Sequence, residues 1–258
     1  MELYKYFDAD GGRAAFNSRR LGFRTPSKFN DPFELTALSN GNGPLAKLHT
    51  MRGQIDELKE QVVILSLTRS PLNPLMWAHY GNNHTGVVIA YDVSGDFLNS
   101  PEHNLIPADT GDVIYTHTKS PIQVTHQTMD ALLRVYQRGL GAPGAQTYEQ
   151  QALARRLFLT KHASWVYEEE VRVVKNALNL FEEVHVDQGN PLRAYDTLAN
   201  GLHLYEKKVP ITRVYLGARN TMLEDQDVTQ ELRALGCPIH QLEVDDSSWQ
   251  LTPSVRIP

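Results

Sequence analysis

The segment "EEEVRVV", residues 168–174, sets two carboxylates and a guanidinium at alternating positions. Read as a strand, it places Glu168, Glu170 and Arg172 on one face and Val171 and Val173 on the other. Same-face neighbours on a strand stand roughly 7 Å apart. Two carboxylates at that spacing, with an arginine beside them, can bind a sugar hydroxyl and stabilise a cationic transition state. A solvent-facing strand with an Arg–Glu pair fits the same pattern. Lys161 lies four residues after Leu157 and three after Phe158, so a continuing helix would put it on their apolar stripe. There it either snorkels to the surface or points into a cleft with a carboxylate partner.

A second dense cluster is "MWAHYGNNHTG", residues 76–86. Trp77 and Tyr80 are three apart, with His79 beside them, and such groups can clamp a planar ring. They serve equally well as core residues with satisfied polar tips. His79 and His84 are five apart, a poor spacing for a helical metal pair, so no metal ligands are assigned. The stretch "TPSKFNDPFEL", residues 25–35, packs charge and aromatic surface together. Pro26 and Pro32 are expected to rigidify it and Phe29 and Phe33 to anchor it on the core. Lys28, Asn30, Asp31 and Glu34 would then line a cleft, or the segment is a structural corner. Cys237, in "ALGCPIH", reads as a small buried residue, and no G-x-S-x-G elbow exists.

These residues need elements to hold them. The pattern predicts strands at 3–6, across "LGFRT" (21–25), at 62–67, 86–93, 112–116, 168–174, 211–216 and 240–244. Helices are predicted at 12–20, 48–60, 74–80, 147–164 and 226–235, with loops at 39–44 and 139–144. Helices and strands are interspersed without regular βαβ spacing, and no Gly-rich phosphate loop is present. The expected fold is therefore α+β, a mixed or antiparallel split sheet with flanking helices in one globular domain spanning residues 1–258.

Composition narrows the partners. The chain has 258 residues, 41% of them hydrophobic, a net charge of −5 and one cysteine. Intrachain disulfides are excluded, and a broad nucleic-acid-binding surface is not expected from that charge. The pairs Arg19–Arg20 and Arg155–Arg156 read as solvated faces. The acidic N-terminus has no apolar run like a signal peptide, and no stretch reaches the roughly 20 apolar residues of a membrane helix. The expectation is a cytoplasmic protein without a membrane partner.

Four motifs carry a resemblance. "LYKY" at 3–6, "KFNDPFE" at 28–34, "MWAHYGNNHTGVVIAYD" at 76–92 and "KHASWVYEEEVRVV" at 161–174 resemble an uncharacterised bacterial family, a domain of unknown function. The order of elements also resembles, more distantly, the ADP-ribosyltransferase fold, a split sheet with NAD in its cleft. In the arginine-type branch of that superfamily the first strand carries a basic residue, here Lys5 where arginine is usual. A middle strand carries Ser-x-Thr, here Ser66 and Thr68, and a late strand carries Glu-x-Glu, here Glu168 and Glu170. The lysine is a departure, because it cannot make arginine's planar bidentate contact.

The resemblance implies NAD as a co-substrate and an oxocarbenium-like transition state, as in glycosidic cleavage. It gives Glu170 the ribose hydroxyl and the developing charge, and Glu168 the acceptor nucleophile. Ser66 and Thr68 would hold the sugar or the strand, Lys5 the diphosphate, and Trp77 or Tyr80 the nicotinamide ring. Asn30, His79, Lys161 and Arg172 complete the expected nucleotide-binding set. The acceptor is a protein or a nucleic acid, and such enzymes in bacteria are often toxins or phage-defence effectors. Two other classes fit the residues: a metal-dependent hydrolase or nuclease using Asp31, Glu34, Glu168 and Glu170, and a non-enzymatic nucleotide- or protein-binding module.

Overall fold

The fold is built by a few strongly signalled pieces. In a computed structural model, residues 1–31, 33, 35, 45–101, 104–119, 122, 123, 125–139, 147–176, 194–197 and 201–257 are described. The expected loop at 39–44 and residues 140–144 of the one expected at 139–144, together with Pro32 and Glu34, lie outside these residues, while Gly139 ends a helix. Strand β1 (Glu2–Phe7) leads into α1 (Ala9–Ser18), which begins earlier than its apolar period suggests. Asp8 caps it by accepting from the Gly11 amide at 2.6 Å, and Arg19 ends it in the left-handed region. Then follow β2 (Arg20–Arg24), α2 (Leu45–Gln61), β3 (Val62–Thr68), α3 (Pro74–His79) and β4 (Val87–Asp92). The chain continues through α4 (Asp96–Asn99), β5 (Ile114–Thr116), α5 (His126–Gly139), α6 (Tyr148–Phe158), β6 (Thr160–His162) and β7 (Glu170–Asn176). It closes with β8 (Ala194–Thr197), β9 (Leu202–Lys208), β10 (Ile211–Leu216), α7 (Gln226–Arg233), β11 (Ile239–Val244) and β12 (Leu251–Ile257).

Ten of these strands form one mixed, mostly antiparallel sheet in the order β12-β11-β10-β4-β1-β3-β2-β9-β8, with β7 branching off β3. Strands β10 and β11 are parallel, bridged by α7, while β5 and β6 make a small parallel pair of their own. The fold is α+β. Strand β3 pairs with β7 along its whole length, from Val62↔Asn176 to Thr68↔Glu170. Its other edge is divided: β1 meets it only at Tyr4↔Thr68 and β2 only at Arg24↔Ile64. The sheet therefore forks there.

Alternation gives each face its own core. Leu3, Leu65, Leu67, Ile89, Val171, Val173 and Val214 point to one side, together with Phe16 of α1 and Leu232 of α7. On the opposite side Val62, Ile64 and Val174 pack with residues of α2, α5 and α6. Further along that same side, Tyr4, Tyr6 and Val88 pack with Trp77, Tyr215 and Leu242. Ser66, Glu170 and Arg172 share the parity of Ile64 and Val174, so they face this second side. The free edge of β7 is covered by the segment from Leu105 to Val113. Bridges join Ile106 to Val174 and Asp112 to Val171, and the Arg172 amide donates to the Gly111 carbonyl at 2.8 Å. A Cβ on Gly111 would stand 2.0 Å from the Arg172 carbonyl oxygen, so only glycine allows this approach.

Two expectations need correction. The helix expected at 147–164 is shorter: a Thr147–Gln150 capping box starts it and it ends at Phe158. The chain then pairs with β5 as strand β6, so Lys161 is a strand residue and not part of a helical stripe. The strand expected at 168–174 begins at Glu170, because Ala163–Glu168 winds into a 3-10 turn and Glu169 is left-handed at φ 42°. Strands β8, β9 and β12 and helices α4 and α5 are additional to the expected elements.

Candidate active site

Four charged side chains converge on the second face of the sheet, between its two apolar clusters. Lys161 donates to Glu168 Oε2 at 2.6 Å and to Glu170 Oε2 at 3.2 Å. Arg172 clasps Glu170 from the other side, Nε to Oε1 at 2.8 Å and a terminal nitrogen to Oε2 at 3.0 Å, and donates also to the Phe158 carbonyl at 2.7 Å. Tyr80 donates its hydroxyl to Glu168 Oε1 at 2.6 Å. The Glu170 amide donates to the Tyr115 hydroxyl at 2.8 Å. Because both carboxylates bond one ammonium, they face each other across it.

Local structure explains the convergence. Glu168 is not on the strand; the left-handed turn at Glu169 folds its side chain back over Glu170. Thr68 holds that turn by donating its hydroxyl to the Glu168 carbonyl. Lys161 arrives by the parallel pairing of β6 with β5, which also sets Tyr115 opposite it. The ring of Trp165 lies 5.0 Å from the Lys161 ammonium, and the ring of Phe29 lies 5.7 Å from the Arg172 guanidinium.

Surroundings divide the two carboxylates. Burial raises the pKa of Glu170, but Arg172 and Lys161 overcome it and bring the group down to about 2. Burial also raises Glu168; Lys161 offsets only part of this, the charge of Glu170 adds to it, and the net direction is upward. Burial lowers Lys161, yet the two carboxylates outweigh it and hold the ammonium above the ordinary lysine value. Tyr80 and Tyr115 are pushed up by burial, Tyr80 further by its bond to Glu168.

The expected site residues separate into groups. Glu168, Glu170, Lys161, Arg172 and Tyr80 meet, and Ser66 stands on the same face near enough to Glu170 to help lower its pKa. Asn30 lies near enough to the Tyr80 hydroxyl to lower its pKa, so the segment opened by Pro26 reaches the edge of the site. Phe29 packs inward there, but Phe33 is 71% exposed and anchors nothing in the core. Asp31 spends one oxygen on the Phe33 amide. His79 is exposed on the rim, its ring 6.1 Å from that of Tyr167. Lys5 donates to the Ser66 carbonyl at 3.0 Å, in the fork of the sheet. Trp77 stands apart: it is 0% exposed, its indole N–H donates to the Pro71 carbonyl and its ring packs against Tyr6 and His84. No ring face remains for a ligand, so its expected ring-binding role gives way to a core role. Thr68 likewise holds main chain rather than sugar. Tyr115 and Trp165 were not anticipated, since their places depend on the β5–β6 pairing.

Residues 76–173 match the family model of a protein of unknown function, DUF2971. The matched segment opens on the Met76 motif and closes within the strand that carries Glu170 and Arg172. Both halves of the charged cluster therefore lie inside the DUF2971 segment, whereas Lys5 and Ser66 lie outside it. No curated protein and no solved structure matches the chain. Among the described residues no group of three or more His, Cys, Asp or Glu is placed to hold a metal. Glu168 and Glu170 enclose the Lys161 ammonium, while Glu34 of the metal-dependent reading lies outside the described residues. No helix of the described residues is long and apolar enough to cross a membrane.

Proposed function

We propose that this chain is an NAD-dependent enzyme of the ADP-ribosyltransferase type, which breaks the nicotinamide–ribose bond at the Glu168–Glu170 pair. The observation that carries this reading is the division of the two carboxylates around Lys161. Glu170 stays ionised at about pH 2 and above, whereas Glu168 has a raised affinity for a proton. Paired titratable groups pushed apart in this way suit one electrostatic and one proton-handling role. Cleavage of a glycosidic C–N bond uses both.

In the proposed reaction the C1′–N bond breaks and its electron pair leaves on the nicotinamide nitrogen, discharging the pyridinium. Glu170 stabilises the positive charge left on the ribose ring, and Ser66 sits beside it to orient a ribose hydroxyl. The acceptor nucleophile forms the new bond to C1′ and gives its proton to Glu168. Tyr80 and Lys161 hold Glu168 in place for that transfer. The acceptor is a protein or a nucleic acid, and the biological setting proposed with it is a bacterial toxin or phage-defence effector in the cytoplasm, by analogy with enzymes of this chemistry.

A second reading, a non-enzymatic nucleotide- or protein-binding module, has one observation in its favour. Lys161, Glu168, Glu170 and Arg172 already satisfy one another, as a structural ion network would. Nicotinamide release from NAD separates the two, measured alongside thermal stability with and without NAD. Ligand at 100 times its Kd adds about 2.7 kcal/mol. The enzyme reading expects release by the natural chain and none by folded Glu168→Gln or Glu170→Gln, with the NAD-induced shift kept. Full turnover in folded Glu170→Gln protein would remove that residue from the mechanism.

A further inference from the structure

Lys161, Trp165, Tyr167, His79 and Tyr80 join Glu168 in a closed collar of contacts, and the three rings in its middle have no part in the proposed mechanism. Side chains three apart eclipse in a 3-10 helix, so the turn Ala163–Glu168 carries Trp165 on the side of Glu168. From Glu168 the collar runs to Lys161 at 2.6 Å, from that ammonium to the Trp165 ring at 5.0 Å, and on to the Tyr167 ring at 6.2 Å. It continues to His79 at 6.1 Å and to Tyr80 at 6.4 Å, and closes where Tyr80 donates to Glu168 at 2.6 Å. Asn73 ties its two halves together: it caps α3 through the Leu75 amide and donates to the Tyr167 carbonyl at 3.1 Å. Burial and then the charge of Glu168 raise the Tyr167 hydroxyl, with Lys161 offsetting part. Glu170 and Ser66, which the mechanism gives to the ribose, stand outside this collar.

We propose that the collar is a binding site for an unpaired nucleobase, which makes a base the acceptor of the proposed transfer. It rests on the transferase reading only for what is done to the base. Trp165 and Tyr167 are half-buried and His79 is exposed, so the row keeps accessible surface. Its successive planes are tilted by 40° and 34°, a fan of ring faces on which a planar group can stack. Among the described residues the Trp165 indole N–H, the Tyr167 hydroxyl and the His79 imidazole have no hydrogen-bond partner, which leaves them for solvent or a ligand. An aliphatic side chain would cover the faces and strand these groups. A cation such as a guanidinium would meet Lys161, which already stands over Trp165 and against Glu168. A neutral ring with donors and acceptors on its edge uses both faces and tips. In the transfer a base nitrogen bonds C1′ and its proton goes to Glu168, while the C1′–N electron pair leaves on the nicotinamide nitrogen. A net charge of −5 fits a site that holds a base by stacking rather than a strand by many phosphates. Bases inside a duplex are out of reach of such a site, so the ligand is unpaired.

The probes are single-stranded homopolymers of each base, about eight nucleotides long, titrated into the full chain with and without NAD and followed by fluorescence anisotropy. Saturable binding of at least one is expected, weakened about tenfold or more in Tyr167→Leu and largely restored in Tyr167→Phe. His79→Ala, at an exposed position, is expected to weaken it in the same direction, so binding can be read even where Tyr167→Leu is destabilised. Affinity is expected to fall less than about tenfold between about 50 and 200 mM salt, since few phosphates are engaged. The matching nucleoside separates two sources of the base: affinity equal to or above that of the strand assigns a free base, tighter strand binding a nucleic acid, and both uphold the collar. Binding of none of the homopolymers, equal binding by Tyr167→Leu and His79→Ala, or preference for the annealed duplex overturns the proposal and leaves a protein as the acceptor. Weakened NAD binding in Tyr167→Leu with oligonucleotide binding untouched overturns it too, because the collar then holds a ring of NAD itself. Nicotinamide release measured on the same preparations keeps the two readings apart. Release without oligonucleotide binding overturns the collar alone, and binding that Tyr167→Leu weakens, without release, upholds the collar while sinking the transferase reading. Where both hold, Tyr167→Leu raises KM for the oligonucleotide more than KM for NAD.

Discussion

Lys161 and Lys175 are both buried lysines, and the chain treats them in opposite ways. Lys161 stands on the second face of the sheet between two carboxylates, which hold its pKa above the ordinary lysine value despite burial. Lys175, at the end of β7, points to the other face into a box of Phe97, Phe23 and Tyr205, with its ammonium 4.2 Å from the nearest ring centroid. It donates to the Phe97 carbonyl and to Asn104 Oδ1, neutral acceptors that do not repay the loss of water. Burial brings its pKa down to about 7. Rings and carbonyls can position a cation, but only formal charge keeps it charged. The carboxylate pair needs Lys161 charged at all working pH values, whereas the three rings, the Phe97 carbonyl and the Asn104 amide oxygen carry no formal charge that would hold Lys175 so.

The largest effect is expected where a buried charge would lose its two-pronged partner. Arg172→Met leaves Glu170 in the interior with Lys161 at 3.2 Å in place of two cations and takes a donor from the Phe158 carbonyl. A loss of about 3–5 kcal/mol is expected in denaturant unfolding. A loss below 1 kcal/mol would mean that Glu170 simply takes up a proton and that the ion pair contributes little. Acid sharpens the same point. Glu170 has its folded pKa depressed from 4.5 to about 2, so the stability it confers is complete above pH 4.5 and lost as pH falls toward 2, about 3 kcal/mol in all. Glu168 has the opposite sign: its raised pKa makes stability fall as pH rises from 4.5 through its folded value. Melting temperature against pH, compared between the natural chain, Glu170→Gln and Glu168→Gln, separates the two slopes.

Lys175 sets the next effect. Its folded pKa of about 7 lies below the ordinary 10.5, so the unfolded chain binds more protons between those values. Stability is expected to rise through that window by at most about 1.4 kcal/mol per pH unit. Lys175→Met removes the slope. A natural chain with flat stability from pH 7 to 10 would show that the box keeps its lysine charged, and would erase the contrast with Lys161.

The sequence carried the ingredients of this contrast unevenly. Alternation in "EEEVRVV" correctly put Glu170 and Arg172 on one side and Val171 and Val173 on the other, because strand parity is local. The same rule assigned Glu168 to the strand, and only the left-handed turn at Glu169 brings it to the site by another route. Lys161 and Tyr115 meet through a parallel pairing between segments far apart in the chain, which no local period announces. Strands β1, β3, β4, β10 and β11 were legible as short apolar runs, whereas the polar β9 and β12 gave no such signal. Helix α5 has its period, at Met129, Leu132, Val135 and Tyr136, inside a stretch polar enough to mask it. The fork at Ser66 lies beyond any single-strand pattern, since it is a property of how three strands share one edge.

The smallest effect tests whether rings matter once charges are present. Trp165 is half-buried and its ring lies 5.0 Å from the Lys161 ammonium, so its cation–π contribution at such a site is about 0.5–1 kcal/mol. With two carboxylates already fixing Lys161, Trp165→Leu is expected to move stability by less than about 1 kcal/mol and to leave the acid slope of Glu170 in place. In the Lys175 box the Phe97 ring is the nearest of the three, so Phe97→Leu is expected to lower the Lys175 pKa further and shift the alkaline slope. Packing loss at Phe97, which lies in the core, makes total stability a poor readout there. The position of the alkaline slope is the better one, because cavity formation does not titrate. Equal displacement of the acid slope by Trp165→Leu and of the alkaline slope by Phe97→Leu would mean that the two lysines are held by the same force after all.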